Sequence, residues 1–283
     1  MKASERLSLL RASGLAPKKS FGQNFLVSDG AIAQIAASCV PDAEVGHARV
    51  VELGAGLGAL TSALVARAAH VTAVERDREL VPLLIESMEG PLRDGVLSVV
   101  EGDAQCTDLG ALLGARAPTG ASRVLAGNLP YQITGQLLRL AVEQAAYVDR
   151  VVFMIQREVA DRLVALPSTK AYGGLTVFVG AAFSVRVVLE VPPEAFVPRP
   201  AVSSSVVVLT PHRPPLAVET DLFRALVKAG FGARRKTLRN AWRSLAPDIS
   251  RLEEASKAAG ISLDARGETL DVLAFDRMAR ALA

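Results

Sequence analysis

The chain is predicted to be an α/β protein: a Rossmann-like, mainly parallel sheet with a small α-helical domain at its C-terminal end. Three observations predict this. Short apolar β-type runs alternate with helical patterns over the first half of the chain. The first clear β run ends in a glycine-rich turn that opens a helical pattern. Beyond the proline-rich stretch Pro211-His212-Arg213-Pro214-Pro215 the chain turns helical and poor in β-type runs.

Val50-Val51-Glu52-Leu53 is the first buried strand, closed by Gly54-Ala55-Gly56-Leu57-Gly58. A helix follows through Leu60, Leu64 and Val65. Residues 70–75 form a second strand and 79–88 a second helix. Residues 97–100 are a third strand that ends near Asp103. Residues 124–126 are a fourth, closed by Gly127-Asn128-Leu129-Pro130-Tyr131. A helix over 134–146 has Thr134 as its expected cap, and 151–155 is a fifth strand. Residues 185–191 and 203–209 are closing strands, expected as one antiparallel hairpin. About four short helices should follow, the last over 268–282. The domain cut is placed after residue 212, giving units 1–212 and 213–283.

The 283 residues are half hydrophobic, which supports a sizeable core and argues against disorder. No apolar run approaches the roughly 18 residues of a membrane span, and the first 19 residues lack the uninterrupted apolar core of a secretory signal. A cytoplasmic protein with no membrane partner is expected. Cys39 and Cys106 form no ligand or redox pattern and are expected as buried small hydrophobes; the three scattered histidines suggest no metal site. The net charge of +3 is a weak pointer to nucleic acid. Its distribution says more. Between Asp221 and Asp248 there is no acid, while Arg224, Lys228, Arg234, Arg235, Lys236, Arg239 and Arg243 are basic. A solvated helix face is one reading; an RNA phosphate surface is the other, because surface helices ordinarily intersperse both signs.

Gly54-Ala55-Gly56-Leu57-Gly58-Ala59 between a strand and a helix is a cofactor-binding arrangement. Glycines let a ligand approach the backbone, and the helix N-terminus offers free N–H groups. The turn alone does not separate a nicotinamide dinucleotide from S-adenosylmethionine. Glu75, at the end of the second strand, can accept from both hydroxyls of a ribose. Asp103, at the end of the third, is either an acceptor for an adenine amine or an ordinary turn aspartate.

Asn128-Leu129-Pro130-Tyr131 sits at the C-terminal end of the fourth strand, beside the cofactor crevice. An adenine amine is a poor nucleophile because its lone pair is delocalised into the ring. Donating its N–H groups to the Asn128 side-chain oxygen and the Leu129 carbonyl would turn that lone pair toward a methyl donor. Pro130 stiffens the turn, and Tyr131 offers a stacking face for an extruded base. The plainer alternative is an Asn-capped turn with a core tyrosine.

These residues together resemble the ribosomal RNA adenine dimethyltransferases, most closely the bacterial small-subunit enzymes that modify two adjacent adenosines near the RNA 3′ end. The resemblance runs from about Lys18 to Leu282. It is carried by Lys19-Ser20-Phe21-Gly22-Gln23-Asn24-Phe25-Leu26, the glycine turn, the Asn128 turn, Gln156-Arg157-Glu158-Val159-Ala160, Lys170-Ala171-Tyr172-Gly173, Phe196-Val197-Pro198-Arg199-Pro200 and Phe231-Gly232-Ala233-Arg234-Arg235-Lys236-Thr237-Leu238-Arg239-Asn240. It implies an S-adenosyl-L-methionine methyltransferase domain and a helical RNA- and ribosome-binding domain. Asn24, Leu26, Gly54, Glu75, Asp103 and Asn128 would line the cofactor site. Tyr131 and Phe196 would sandwich the target adenine, and Arg234, Arg235, Lys236 and Arg239 would meet RNA. The implied partners are small-subunit RNA and the assembling subunit, engaged by a monomer. Ala55 departs from the proline frequent in the family, and Gly267 stands where a larger residue is usual.

Three other functions compete. A sister enzyme methylates a large-subunit adenine, but the Lys170 and Arg234 stretches fit the small-subunit group better. A non-catalytic RNA-binding assembly or transcription factor on the same fold is opposed by the intact Gly54, Glu75, Asp103 and Asn128 set. A dehydrogenase leaves Asn-Leu-Pro-Tyr without a role.

Overall fold

A computed structural model of the chain describes residues 3–114 and 120–283. It opens with helix α1 (Ala3–Ala12), which the sequence analysis did not anticipate. Arg6, Leu7 and Leu10 share one buried face of it, and the two leucines pack with Leu57 and Leu80. After the two-residue strand β1 (Phe25–Leu26) comes α2 (Asp29–Cys39), capped by Ser28 Oγ, which accepts from the Ala31 amide.

Strands and helices alternate as expected, with α5 and α6 as additions that the sequence analysis did not foresee: β2 (Ala48–Leu53), α3 (Ala59–Val65), β3 (His70–Glu75), α4 (Leu80–Ser87), α5 (Glu89–Arg93), β4 (Leu97–Glu101), α6 (Leu109–Gly114), β5 (Ser122–Asn128), α7 (Thr134–Glu143) and β6 (Arg150–Gln156). Every residue of β2 is buried, as in a central strand covered on both faces. Thr134 is not a cap. It is already helical, behind Ile133, and its hydroxyl donates to the Pro130 carbonyl.

Helices α8 (Arg157–Leu163) and α9 (Gly174–Ala182) precede β7 (Phe183–Val191), β8 (Phe196–Val197) and β9 (Ser204–Pro211). The sheet order is β4-β3-β2-β5-β6-β9-β7, with β2 to β6 parallel to their neighbours and β9 antiparallel to β6. The two closing strands are neighbours, but no tight hairpin joins them. The connection leaves the sheet, and its β8 pairs antiparallel with β1. Because the chain runs outward from β2 through β3 and β4, then returns to β5, the strand order reverses between β2 and β5. That crevice is where open α/β sheets bind ligands.

The chain forms two compact units. The first is 1–160 with 186–211, and the second is 161–185 with 212–283. The single cut expected after residue 212 therefore misplaces 161–185. Tyr172, Val177 and Ala181 are buried among Phe223, Leu226 and Phe275, and the Tyr172 hydroxyl donates to the Leu270 carbonyl at 2.7 Å. Apolar burial draws this segment into the second core.

Among the described residues, the second unit continues after 212 with α10 (Asp221–Gly232), α11 (Leu238–Ala241), α12 (Ile249–Ala259) and α13 (Val272–Leu282). The last helix starts at 272 rather than 268 because Asp271 caps it, accepting from the Ala274 amide at 2.7 Å. Gly267 has a packing reason. A Cβ there would lie 2.6 Å from the Gly230 carbonyl oxygen, so the backbones meet where a side chain has no room. Cys39 is buried as expected, but Cys106 is exposed in the turn after Asp103. None of the described helices is long and apolar enough to cross a membrane.

Candidate active site

Strands β2 and β5 are adjacent, and the two turns that end them face one cavity of the first unit. The cavity is lined by Asn24, Leu26, Gly54, Glu75, Asp103, Asn128, Leu129, Pro130 and Tyr131. Gly54, Gly56 and Gly58 have φ of 73°, 56° and 76°. Three left-handed residues in five turn the chain sharply, and a side chain at any of them would be strained.

The Glu75 carboxylate is buried at the end of β3. Oε2 accepts from the Gly56 amide at 2.6 Å and Oε1 from the Asp77 amide at 2.8 Å. It therefore braces the glycine turn from the neighbouring strand. Burial raises its pKa, against the backbone donors that favour the charged form. The backbone amides of Asp77, Gly56 and Arg76 all bond it, and a carboxylate has about four acceptor positions, which leaves it capacity for a ligand hydroxyl. Asp103 lies on the rim. Oδ1 accepts from the Gln105 amide, and Oδ2 pairs with Arg76 at 3.3 Å.

At the end of β5, Asn128 Nδ2 donates to the Asn24 carbonyl at 3.0 Å. The Leu129 side chain is buried, and its amide donates to the Met154 carbonyl, holding the turn onto β6. Pro130 has φ −58°, and its carbonyl accepts from the Ile133 amide. The Tyr131 hydroxyl shares a 2.8 Å hydrogen bond with Ser204 Oγ of β9, and partial burial raises its pKa.

Phe196 does not reach the cavity. It pairs in register with Leu26 and is 3% exposed within the core that contains Leu26, Val191 and Ala195.

Sequence reasoning overlooked several groups. Glu52 lines the cavity although fully buried, accepts from Thr61 Oγ1 at 2.6 Å, and has its pKa raised to about 8, chiefly by burial. An acid inside an otherwise apolar strand next to the glycine turn was the available signal. Arg6 of α1 also lines the cavity, and its Nη1 donates to the Leu57 carbonyl at 2.9 Å. The Phe21 ring meets two cations, Lys18 at 5.5 Å and Arg76 at 4.9 Å from its centre.

In the second unit the basic stretch is less bare than its sequence. Arg224 pairs with Asp221 and Glu219, Arg234 with Glu268 at 3.0 Å, and Arg239 with Glu253 and Asp264. Arg234 also donates to the carbonyls of Thr169, Lys170 and Tyr172, so it clasps that loop. Arg235 and Lys236 are exposed and have no acid partner among the described residues.

A mainly parallel sheet of this order, with a glycine turn and an Asn-Leu-Pro-Tyr turn side by side at its switch point, defines a Rossmann-like methyltransferase. The chain belongs to the ribosomal RNA adenine dimethylase family, whose profile matches residues 14–283. It is 46% identical to the ribosomal RNA small subunit methyltransferase A of Anaeromyxobacter sp. (strain K), over 97% of this chain and 96% of that protein. The protein of the same name from Moorella thermoacetica is 43% identical over 98% and 96%. Among solved structures, a dimethyladenosine transferase from Plasmodium falciparum shares the fold with a TM-score of 0.73 at 23% identity, over 89% of this chain and 95% of that one. The 23S rRNA methyltransferase ErmE gives a TM-score of 0.66 at 26% identity, over 92% and 99%.

Proposed function

We propose that the protein dimethylates the N6 amines of two adjacent adenosines near the 3′ end of small-subunit ribosomal RNA, with S-adenosyl-L-methionine as donor, during small-subunit assembly. The observation that carries this reading is the placement of Asn128. Its amide N–H group is held by the Asn24 carbonyl, and among the described residues its Oδ1 makes no hydrogen bond. Oδ1 is therefore the end left to accept from a substrate amine.

The residues fit the donor. Glu75 and Asp103, at successive strand ends, match the hydroxyls and the amine of an adenosine. The left-handed glycine turn keeps Cβ atoms out of the approach. S-adenosylmethionine supplies a methyl group already activated by a positive sulfonium. What remains for the protein is orientation, worth several orders of magnitude in rate when geometry is right. Asn128 Oδ1 and the Leu129 carbonyl accept the two N–H groups of the adenine amine, which turns its lone pair out of conjugation. Tyr131, fixed through Ser204, stacks on the base. The second unit meets RNA phosphates through Arg235 and Lys236, while Arg234 and Arg239 shape the surface that presents them.

The large-subunit alternative is less favoured, because the relatives at 43–46% identity over nearly full length carry the small-subunit name. The test is mass mapping of both ribosomal RNAs from a strain lacking this gene. Loss of dimethyladenosine from the small subunit alone is expected; loss from the large subunit would overturn the assignment.

A further inference from the structure

The segment between α1 and β1 is fastened at two points. One is Asp77, whose side chain is 3% exposed. Its Oδ1 accepts from Lys18 Nζ at 2.7 Å and from the Glu79 amide at 3.1 Å, and its Oδ2 accepts from Gln23 Nε2 at 2.7 Å. Gln23 Oε1 accepts from the Lys18 amide at 2.7 Å, which closes a ring of hydrogen bonds. The other point is Asn128, whose Nδ2 donates to the Asn24 carbonyl. Gln23 and Asn24 are adjacent, so the residue tied to Asp77 is followed by the residue tied to the Asn-Leu-Pro-Tyr turn. Asn24 Nδ2 donates to the Gly22 carbonyl at 3.2 Å, which stiffens the link between the two fastenings.

We propose that Asp77 is a positioning residue for methyl transfer, acting through the Asn24 carbonyl on the orientation of the Asn128 amide. A primary amide has two nearly isosteric ends, and only its N–H end can meet a carbonyl oxygen. The Asn24 carbonyl therefore decides that Asn128 presents its oxygen to the substrate. That carbonyl is as well placed as the segment that carries it. The segment is held by bonds to a buried carboxylate, which are charge-assisted and stronger than neutral ones. The Asp77 amide also donates to Glu75, so the anchor stands beside the carboxylate proposed to hold the ribose. Lys18 keeps Glu79 as a second acid at 2.7 Å, so altering Asp77 does not strand a cation.

This inference rests on the role given above to Asn128, and its test separates the two. Single-turnover methyl transfer is measured at saturating S-adenosylmethionine and saturating immature small subunits, for the parent, Asp77→Asn, Asn128→Ala and the double variant. Asp77→Asn should be about tenfold slower, since a misplacement on the order of 1 Å costs up to a hundredfold. In the Asn128→Ala background the same change should cost less than about twofold, because the group it acts through is gone. Gln23→Leu removes one arm of the anchor and should show the same dependence on background at smaller size, which keeps the test open if Asp77→Asn folds poorly. A loss equal in both backgrounds, or no loss, would overturn the role of Asp77 while leaving that of Asn128 intact. A parental rate in Asn128→Ala would overturn both.

Discussion

At the residue scale the site separates groups that can touch substrate from groups that hold them. Asn128 is of the first kind. Asn128→Ala should fold and bind RNA, yet methylate on the order of a hundredfold more slowly, the usual loss for one well-placed polar contact made mainly in the transition state. Single-turnover rates check this, and a near-parental rate would make the turn structural. Glu52 is of the second kind and makes stability depend on pH. Its folded-state pKa is raised from 4.5 to about 8, chiefly by burial. Between those values the folded protein keeps the proton and the unfolded chain releases it. The contribution is thus fully present below about 4.5 and is lost as pH rises through about 8. Glu75, also raised, adds a slope of the same sign. Denaturation midpoints should fall between pH 5 and 8 in the parent, and Glu52→Gln should flatten part of that fall; an unaltered slope in the variant would remove Glu52 as its source. Glu75 and Asn128 were legible as candidates because both stand at strand ends, where sequence pattern locates them. Asp77 was not, since its importance lies in partners 54 and 59 positions away.

At the scale of elements the basic stretch shows how sequence proximity misleads. Seven cations without an acid between Asp221 and Asp248 suggested a continuous phosphate surface. Folding brings Glu268, Glu253 and Asp264 against Arg234 and Arg239, while Lys228, Arg235, Lys236 and Arg243 stay exposed with no acid partner among the described residues. Replacing Arg235 and Lys236 together by Ala should weaken RNA binding and reduce the slope of log K against log salt by about 1–2, as fewer counterions are released. Cofactor affinity should hold. An unchanged slope would show that the pair does not meet phosphate. Arg234→Ala should act differently, loosening the loop at 169–172 that its guanidinium holds. Strands and helices of the sheet were legible because alternation and apolar runs are local. Helix α1 and strand β8 were not: the first shows its buried face only against Leu57 and Leu80, and the second exists only as the partner of β1.

At the scale of the whole molecule, the first unit stands to gain stability from whatever fills its cavity. Saturating S-adenosylmethionine should raise the melting temperature, since about 2.7 kcal/mol follows from a ligand at a hundred times its dissociation constant. Glu75→Ala should lose most of that shift and weaken the cofactor in calorimetric titration, because the ribose hydroxyls lose a charged acceptor. An unchanged shift and affinity would remove Glu75 from the site. The sequence by itself determined the alternation of strands and helices, the glycine turn, the strand-end carboxylates and the Asn-Leu-Pro-Tyr turn, because periodicity and turn chemistry act over a few neighbouring residues. Tertiary structure alone decided that Phe196 lies buried in the core cluster, that 161–185 joins the second unit, and that Arg234 holds a loop. It also decided that Asn128 meets the Asn24 carbonyl. Each of these depends on contact between residues far apart in the chain, and such contacts form only when burial and pairing are satisfied together.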